Sequence, residues 1–178
     1  MRIISGIHKG RKINPPKGLP VRPTTDFAKE GLFNILRNRV WFSSIKALDL
    51  FAGTGNISFE LASRGVPKIT AVDADFGCVK FIKKTSEELT LPITTLKMDV
   101  FKYLDSKSER FDVIFADPPY LFQLEKLQEI IQKVQENNFL QEEGFLVLEH
   151  SKSIDLSQIP GFTESRKYGD SAFSFFTH

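Results

Sequence analysis

Ala47-Leu48-Asp49-Leu50-Phe51-Ala52-Gly53-Thr54-Gly55-Asn56-Ile57-Ser58 decides how this 178-residue chain is read. From Ile45 to Phe51 the residues are largely apolar without clean alternation, the pattern of a strand covered on both faces. Gly53 and Gly55 then let the backbone turn sharply and approach a ligand closely. Asn56 is placed to cap a helix running to about Arg64, with Ile57, Leu61 and Ala62 on its core side. Strand, glycine turn and helix form the first half of a nucleotide-binding βαβ unit. A second strand, Lys68–Asp73, follows, and Asp73 at its carboxyl end stands where a carboxylate binds ribose hydroxyls.

The glycine run departs from the dinucleotide fingerprint, which needs a third glycine where this chain has Ser58. Asp49 departs further. A carboxylate at the strand end repels a pyrophosphate but attracts a cation, and S-adenosylmethionine carries both an ammonium and a sulfonium. The structural alternative is that Asp49 braces the turn by accepting hydrogen bonds from its amides, which does not exclude the ligand.

Outward from this unit, strands alternate with helices. Phe76–Glu88 reads as a helix carrying the single cysteine, Cys78, as packing filler. Ile93–Met98 reads as a third strand ending at Asp99, which can accept an adenine amino group or cap the short helix Val100–Leu104. Phe111–Ala116 is the fourth strand, Leu124–Asn137 an amphipathic helix and Phe145–Glu149 the fifth strand. Phe162–Lys167 and Ala172–Phe176 read as a closing hairpin. The expected fold is α/β, a mostly parallel seven-stranded sheet with one antiparallel strand.

Upstream, Arg2–Ser5 and Arg11–Asn14 look like two short strands with His8 and Lys9 at the turn, and the prolines from Pro15 to Pro23 keep the chain extended. Thr24-Thr25-Asp26 signals a helix start, with Phe27, Ala28, Gly31, Leu32, Ile35 and Leu36 on its apolar face. The chain divides into a basic arm, residues 1–24, and a body, residues 25–178. Residues 1–44 hold nine Lys/Arg against two Asp/Glu, net +7, and the remainder fifteen against twenty, net −5. A basic arm on an acidic body suggests a polyanionic partner, and Lys9, Arg11, Lys12 and Arg22 are its candidate phosphate contacts. Composition is that of a globular protein, with 41% hydrophobic and 26% charged residues. No apolar run is long enough to span a membrane, and one cysteine and three scattered histidines offer no metal site. A cytoplasmic location is the default expectation.

Asp117-Pro118-Pro119-Tyr120, directly after the fourth strand, is the most specific short stretch in the chain. Two prolines fix φ and carry no amide hydrogens, so the loop is stiff, with the Asp117 carboxylate and the Pro118 carbonyl as acceptors. An exocyclic amine on a nucleobase is a poor nucleophile because its lone pair is delocalised into the ring. Two acceptors that bind its hydrogens free that lone pair, and Tyr120 can stack on an extruded base. A plain structural turn is the competing reading of these four residues.

Leu48–Ser58 and Asp117–Tyr120 resemble the cofactor and catalytic motifs of class I adenosylmethionine-dependent amino-methyltransferases. Met1-Arg2-Ile3-Ile4-Ser5-Gly6, Lys9-Gly10-Arg11, Arg22-Pro23-Thr24, Leu32-Phe33-Asn34-Ile35-Leu36 and Lys167-Tyr168-Gly169-Asp170 resemble more narrowly the bacterial 16S ribosomal RNA guanine-N2 methyltransferases of the guanine-966 type. The resemblance spans nearly the whole chain. It implies a Rossmann-like methyltransferase fold, the small ribosomal subunit as substrate and adenosylmethionine as methyl donor. The implied cofactor contacts are Asp49, Phe51, Gly53, Gly55, Asp73 and Asp99. Phe27 and Gly31 depart from it, standing where an arginine and an alanine are expected. The alternatives are an N6-adenine methyltransferase of DNA or RNA, an NAD-dependent oxidoreductase disfavoured by Asp49 and Ser58, and a catalytically silent RNA-binding scaffold disfavoured by the intact Asp117–Tyr120.

Overall fold

In the computed structural model, which describes residues 1–19, 24–106 and 109–178, seven strands form one sheet in the order β3-β2-β1-β4-β5-β7-β6. The strands are β1 (Lys46–Leu50), β2 (Lys68–Asp73), β3 (Ile93–Lys97), β4 (Phe111–Ala116), β5 (Leu140–Ser151), β6 (Phe162–Tyr168) and β7 (Ser171–Phe176). The helices are α1 (Asp26–Leu36), α2 (Asn56–Ser63), α3 (Phe76–Glu88), α4 (Val100–Leu104) and α5 (Leu124–Glu136). Strands β1 to β5 pair in parallel, and β7 inserts antiparallel between β5 and β6. Strand order reverses between β1 and β4, which opens a crevice at their carboxyl ends, where α/β sheets bind ligands.

Side chains alternate across the sheet with period two. Ala47, Ala71, Val113, Phe115 and Val147 face α1, α2 and α3. Leu48, Leu50, Val72, Ile114 and Leu148 face α4 and α5. Fully buried aromatics such as Phe33, Phe59 and Phe173 anchor the first layer, each burial stabilising by about 1.5–3 kcal/mol.

Several boundaries differ from the sequence reading. Strand β5 begins at Leu140 rather than Phe145. Glu142, Glu143 and Gly144 interrupt the apolar pattern of its first residues, and Gly144 is needed because a Cβ there would meet the Phe111 carbonyl oxygen at 2.8 Å. The cap of α2 is Gly55, in the left-handed region, and Asn56 is the first helical residue. The Asn56 side chain does other work: its Nδ2 donates to the Thr24 carbonyl at 2.9 Å and its Oδ1 accepts from Lys29 Nζ at 2.8 Å.

The apolar face of α1 also differs. Phe27 is 70% exposed, while Lys29 is buried. Lys29 is stable there because its ammonium donates to the Arg2 carbonyl at 2.6 Å and pairs with Glu60 at 3.7 Å. Glu60 in turn accepts from Ile4 N, Ser5 N and Arg64 Nε at 2.7, 3.0 and 2.8 Å. This network docks the N-terminal segment along α2. The two expected strands there reduce to one bridge, Arg2 with Lys12, and Ile3 and Ile13 are buried. Gly31 has a packing reason: a side chain there would collide with the Tyr168 ring, which closes onto α1 and meets Phe27 edge-on at 5.8 Å. Among the described residues, no helix is long and apolar enough to cross a membrane.

Candidate active site

The carboxyl ends of β2, β1, β4 and β5 border a single cavity of about 910 Å³. Register decides what they offer. Asp49 is aligned with Ala71 of β2 and Phe115 of β4, and Phe115 with Val147 of β5. Asp73, Asp117 and Glu149 therefore form one row two residues higher, and Asp49 lies one layer beneath. All four leave the sheet on the α1–α2 side, as Ala47, Ala71, Phe115 and Val147 do.

One half of the cavity is built by the glycine turn. Phe51 is forced to φ 58°, an uncommon conformation for a bulky residue. Gly53 follows in the left-handed region and donates its amide to Asp73 Oδ2 at 2.7 Å. Asp75 N donates to Asp73 Oδ1 at 2.8 Å, so both Asp73 oxygens are braced, with lone pairs to spare. Asp49 is buried and accepts from Ser58 N at 3.1 Å and Ser58 Oγ at 2.5 Å. Ser58 thus orients Asp49. Burial outweighs those bonds and, with the charge of Asp73, pushes the Asp49 carboxyl up to about 7. Asp99 lines the cavity and also caps α4, accepting from Lys102 N at 3.1 Å. Phe51, Phe101 and Phe122 form an aromatic group with centroids 5.9–6.5 Å apart. Gly55 is not among the lining residues. It turns into the core, where a Cβ would come within 2.9 Å of Ile82.

The other half is built by the loop after β4. Asp117 N donates to the Leu50 carbonyl at 3.3 Å and Phe122 N to the Pro119 carbonyl at 2.8 Å, closing the loop over the switch point. Pro118 is buried, while Pro119 and Tyr120 are exposed on the rim. Tyr120 Oη donates to Ser151 Oγ at 3.2 Å. Burial first, then the charges of Glu149 and Asp49, hold the Asp117 carboxyl well above the usual carboxylate range. Glu149 is buried and also raised, chiefly by burial; it accepts from Thr24 Oγ1 at 3.1 Å and from Ser171. Phe27, Tyr168 and the β6–β7 turn complete this rim.

Sequence reasoning missed Glu149, Phe101 and Phe122. Counting parity from Val147 would have put Glu149 on the same face as Asp117; the two phenylalanines carried no such signal. Cys78 is buried, its thiol pushed up to about 12 by burial first, as packing filler requires. Lys9, Arg11 and Lys12 are exposed on the docked N-terminal segment, and Arg22 lies outside the described residues. Among the described residues, no group of three or more His, Cys, Asp or Glu could hold a metal ion.

The family model described as conserved hypothetical protein 95 matches residues 1–177. The chain is 36% identical over 177 residues to YlbH of Bacillus subtilis, covering 95% of this chain and 94% of that protein. It is 34% identical over 158 residues to ribosomal RNA small subunit methyltransferase D of Haemophilus influenzae, covering 85% of this chain and 79% of the relative. The solved structure of yhhF from Escherichia coli superposes with a TM-score of 0.87 at 26% identity, covering 99% of this chain and 96% of that one. A sheet with its crevice between β1 and β4, a carboxylate-lined glycine turn and a match along nearly the full chain agree: this protein belongs to the conserved hypothetical protein 95 family and is a relative of the ribosomal RNA small subunit methyltransferases D.

Proposed function

We propose that this enzyme methylates the exocyclic N2 of a guanine in 16S ribosomal RNA of the small ribosomal subunit, with S-adenosylmethionine as methyl donor. The observation that carries the reading is the joining, in one cavity, of a glycine-turn half rich in carboxylates and the Asp117–Tyr120 loop. The residues present fit the cofactor. The carboxylates of Asp49 and Asp73 suit a cation, the braced Asp73 carboxylate suits ribose hydroxyls, and the Phe51–Phe101–Phe122 group beside Asp99 suits an adenine. S-adenosylmethionine supplies, when bound, a methyl group on a cationic sulfonium.

The chain's own residues do the rest. Asp117 and the Pro118 carbonyl accept the two hydrogens of the target amine, drawing its lone pair out of conjugation, and the stiff loop holds it in line with the donor. Asp117, whose carboxyl already sits high, is the nearest acceptor for the proton the amine releases. Tyr120 offers an exposed ring on which the extruded base stacks. The arm of residues 1–24 brings Lys9, Arg11, Lys12 and Arg22 to RNA phosphates, while the body of residues 25–178 carries out the transfer. The cytoplasm is where such a substrate is met.

Incubation with labelled S-adenosylmethionine and unmethylated small subunits, followed by nucleoside analysis, tests this. N2-methylguanosine in the 16S RNA is the expected product; N6-methyladenosine, or no transfer, overturns it.

A further inference from the structure

Glu149 belongs to neither the cofactor half of the cavity nor the proline loop, yet it is built into the base-facing row. Ala116 pairs with Leu148, so Asp117 and Glu149 are neighbours on adjacent strands, about 4.8 Å apart across the ladder. Both face the α1–α2 side, as Phe115 and Val147 do. Thr24 Oγ1 and Ser171 donate to the Glu149 carboxylate and hold it in place. It is 8% exposed, and that exposure is to the cavity. Among the described residues, no Lys or Arg forms an ion pair with it.

A guanine presents three donor hydrogens in sequence along one edge: N1–H and the two on N2. An ionised carboxylate is acceptor-only. Asp117, the Pro118 carbonyl and Glu149 supply three acceptors at neighbouring positions. Adenine and cytosine each set a ring-nitrogen lone pair beside their amine, and that lone pair would face a carboxylate. Both carboxyls are costly to ionise here, and the guanine edge repays that cost with donors while the other bases do not. We propose that Glu149 selects guanine over other amino-bearing bases by accepting the N1–H hydrogen bond while Asp117 engages the exocyclic amine. This rests on the guanine-N2 reading of the site.

The test uses small-subunit RNA carrying guanine or 2-aminopurine at the target. 2-Aminopurine keeps the 2-amino group and replaces N1–H by a lone pair. Single-turnover methyl transfer is measured, with 2-aminopurine fluorescence in the presence of the demethylated cofactor as a binding readout. The parent enzyme should favour guanine by about 10²-fold or more. Glu149→Gln, whose amide can donate to the lone pair, should lose on guanine, gain on 2-aminopurine and bind the latter more tightly, narrowing the ratio at least about tenfold. Thr24→Val, which removes one orienting donor, should narrow it less, and it carries the test if the Gln variant fails to fold. An unchanged ratio, or an equal loss on both bases, overturns the role of Glu149 while leaving the guanine reading standing. A parent enzyme that methylates no guanine amine overturns both.

Discussion

Two groups of buried charge flank α1, and they are built on opposite rules. Lys29, Glu60 and Arg64 pair opposite charges, two cations sharing one carboxylate, and the Arg2 carbonyl and the Ile4 and Ser5 amides complete their hydrogen bonds. Asp49, Asp117 and Glu149 are all of one sign and face a cavity instead. The first is how a fold tolerates buried charge. The second costs stability in the free protein, and such surpluses mark binding and catalytic sites. The groups are also connected: Lys29 donates to Asn56, Asn56 to the Thr24 carbonyl, and the Thr24 hydroxyl to Glu149. Anchoring of the N-terminal segment and orientation of the base-facing carboxylate therefore share one hydrogen-bonded chain.

The contrast predicts that the unbalanced group can be neutralised at great cost to activity and none to stability. Asp117→Ala should lower single-turnover methyl transfer by about 10³-fold or more, with cofactor affinity by calorimetry little changed. Asp117→Asn is nearly isosteric but turns a donor amide toward the amine's hydrogens, and it should be impaired as well. Neither should lower the thermal midpoint, since each removes a like charge. Parental turnover by the Asn variant would mean that Asp117 accepts nothing from the substrate.

The paired group should behave in reverse. Glu60→Ala leaves Lys29 without its counter-charge and the Ile4 and Ser5 amides without their acceptor, and should cost about 3–5 kcal/mol in urea unfolding, with the transfer rate per folded molecule preserved. A stability loss below about 1 kcal/mol would show that water, not Glu60, compensates Lys29.

A third test follows from Asp49. Its carboxyl is raised in the fold to about 7, against about 4 in an unfolded chain. The folded state therefore holds a proton that the unfolded state has lost, and between those values rising pH destabilises the free protein. A bound cation favours the ionised form. Affinity for S-adenosylmethionine should climb as pH approaches about 7, by up to about tenfold per unit, with proton release measurable in buffers of different ionisation enthalpy. Asp49→Asn should bind more weakly and lose this slope; an unchanged slope would assign it to other carboxylates.

Smaller effects are expected at the surface. Neutralising Lys9, Arg11 and Lys12 together should flatten the salt dependence of RNA binding by roughly 0.7 per lost contact, leaving cofactor affinity intact. An unaltered slope would make the segment a solvated surface. Tyr120→Phe removes one exposed hydrogen bond to Ser151, worth about 1 kcal/mol or less, and should be mild in turnover. Tyr120→Ala should cost about 1–3 kcal/mol of base stacking; equal rates for both variants would exclude stacking on this ring.

The parts of this fold legible in the sequence are those set by nearest neighbours along the chain. Apolar patterning located the seven strands and α1, α2, α3 and α5, although Glu142 to Gly144 masked the start of β5, and it also suggested two N-terminal strands that reduce to one bridge. Gly31 stood out in the sequence only as a departure from an expected alanine, and the Tyr168 ring that requires it was not legible. Lys29 carried no signal in the sequence because its acceptors, Arg2, Asn56 and Glu60, come from elsewhere in the chain.

By itself, the sequence determined a glycine turn after β1, a stiff Asp-Pro-Pro-Tyr loop after β4 and carboxylates near several strand ends, because propensity, periodicity and proline geometry act locally. Only the tertiary structure decided that Asp73, Asp117 and Glu149 stand in one row above Asp49. That depends on strand register, and register follows from burying two apolar faces at once, a condition that no single segment satisfies alone.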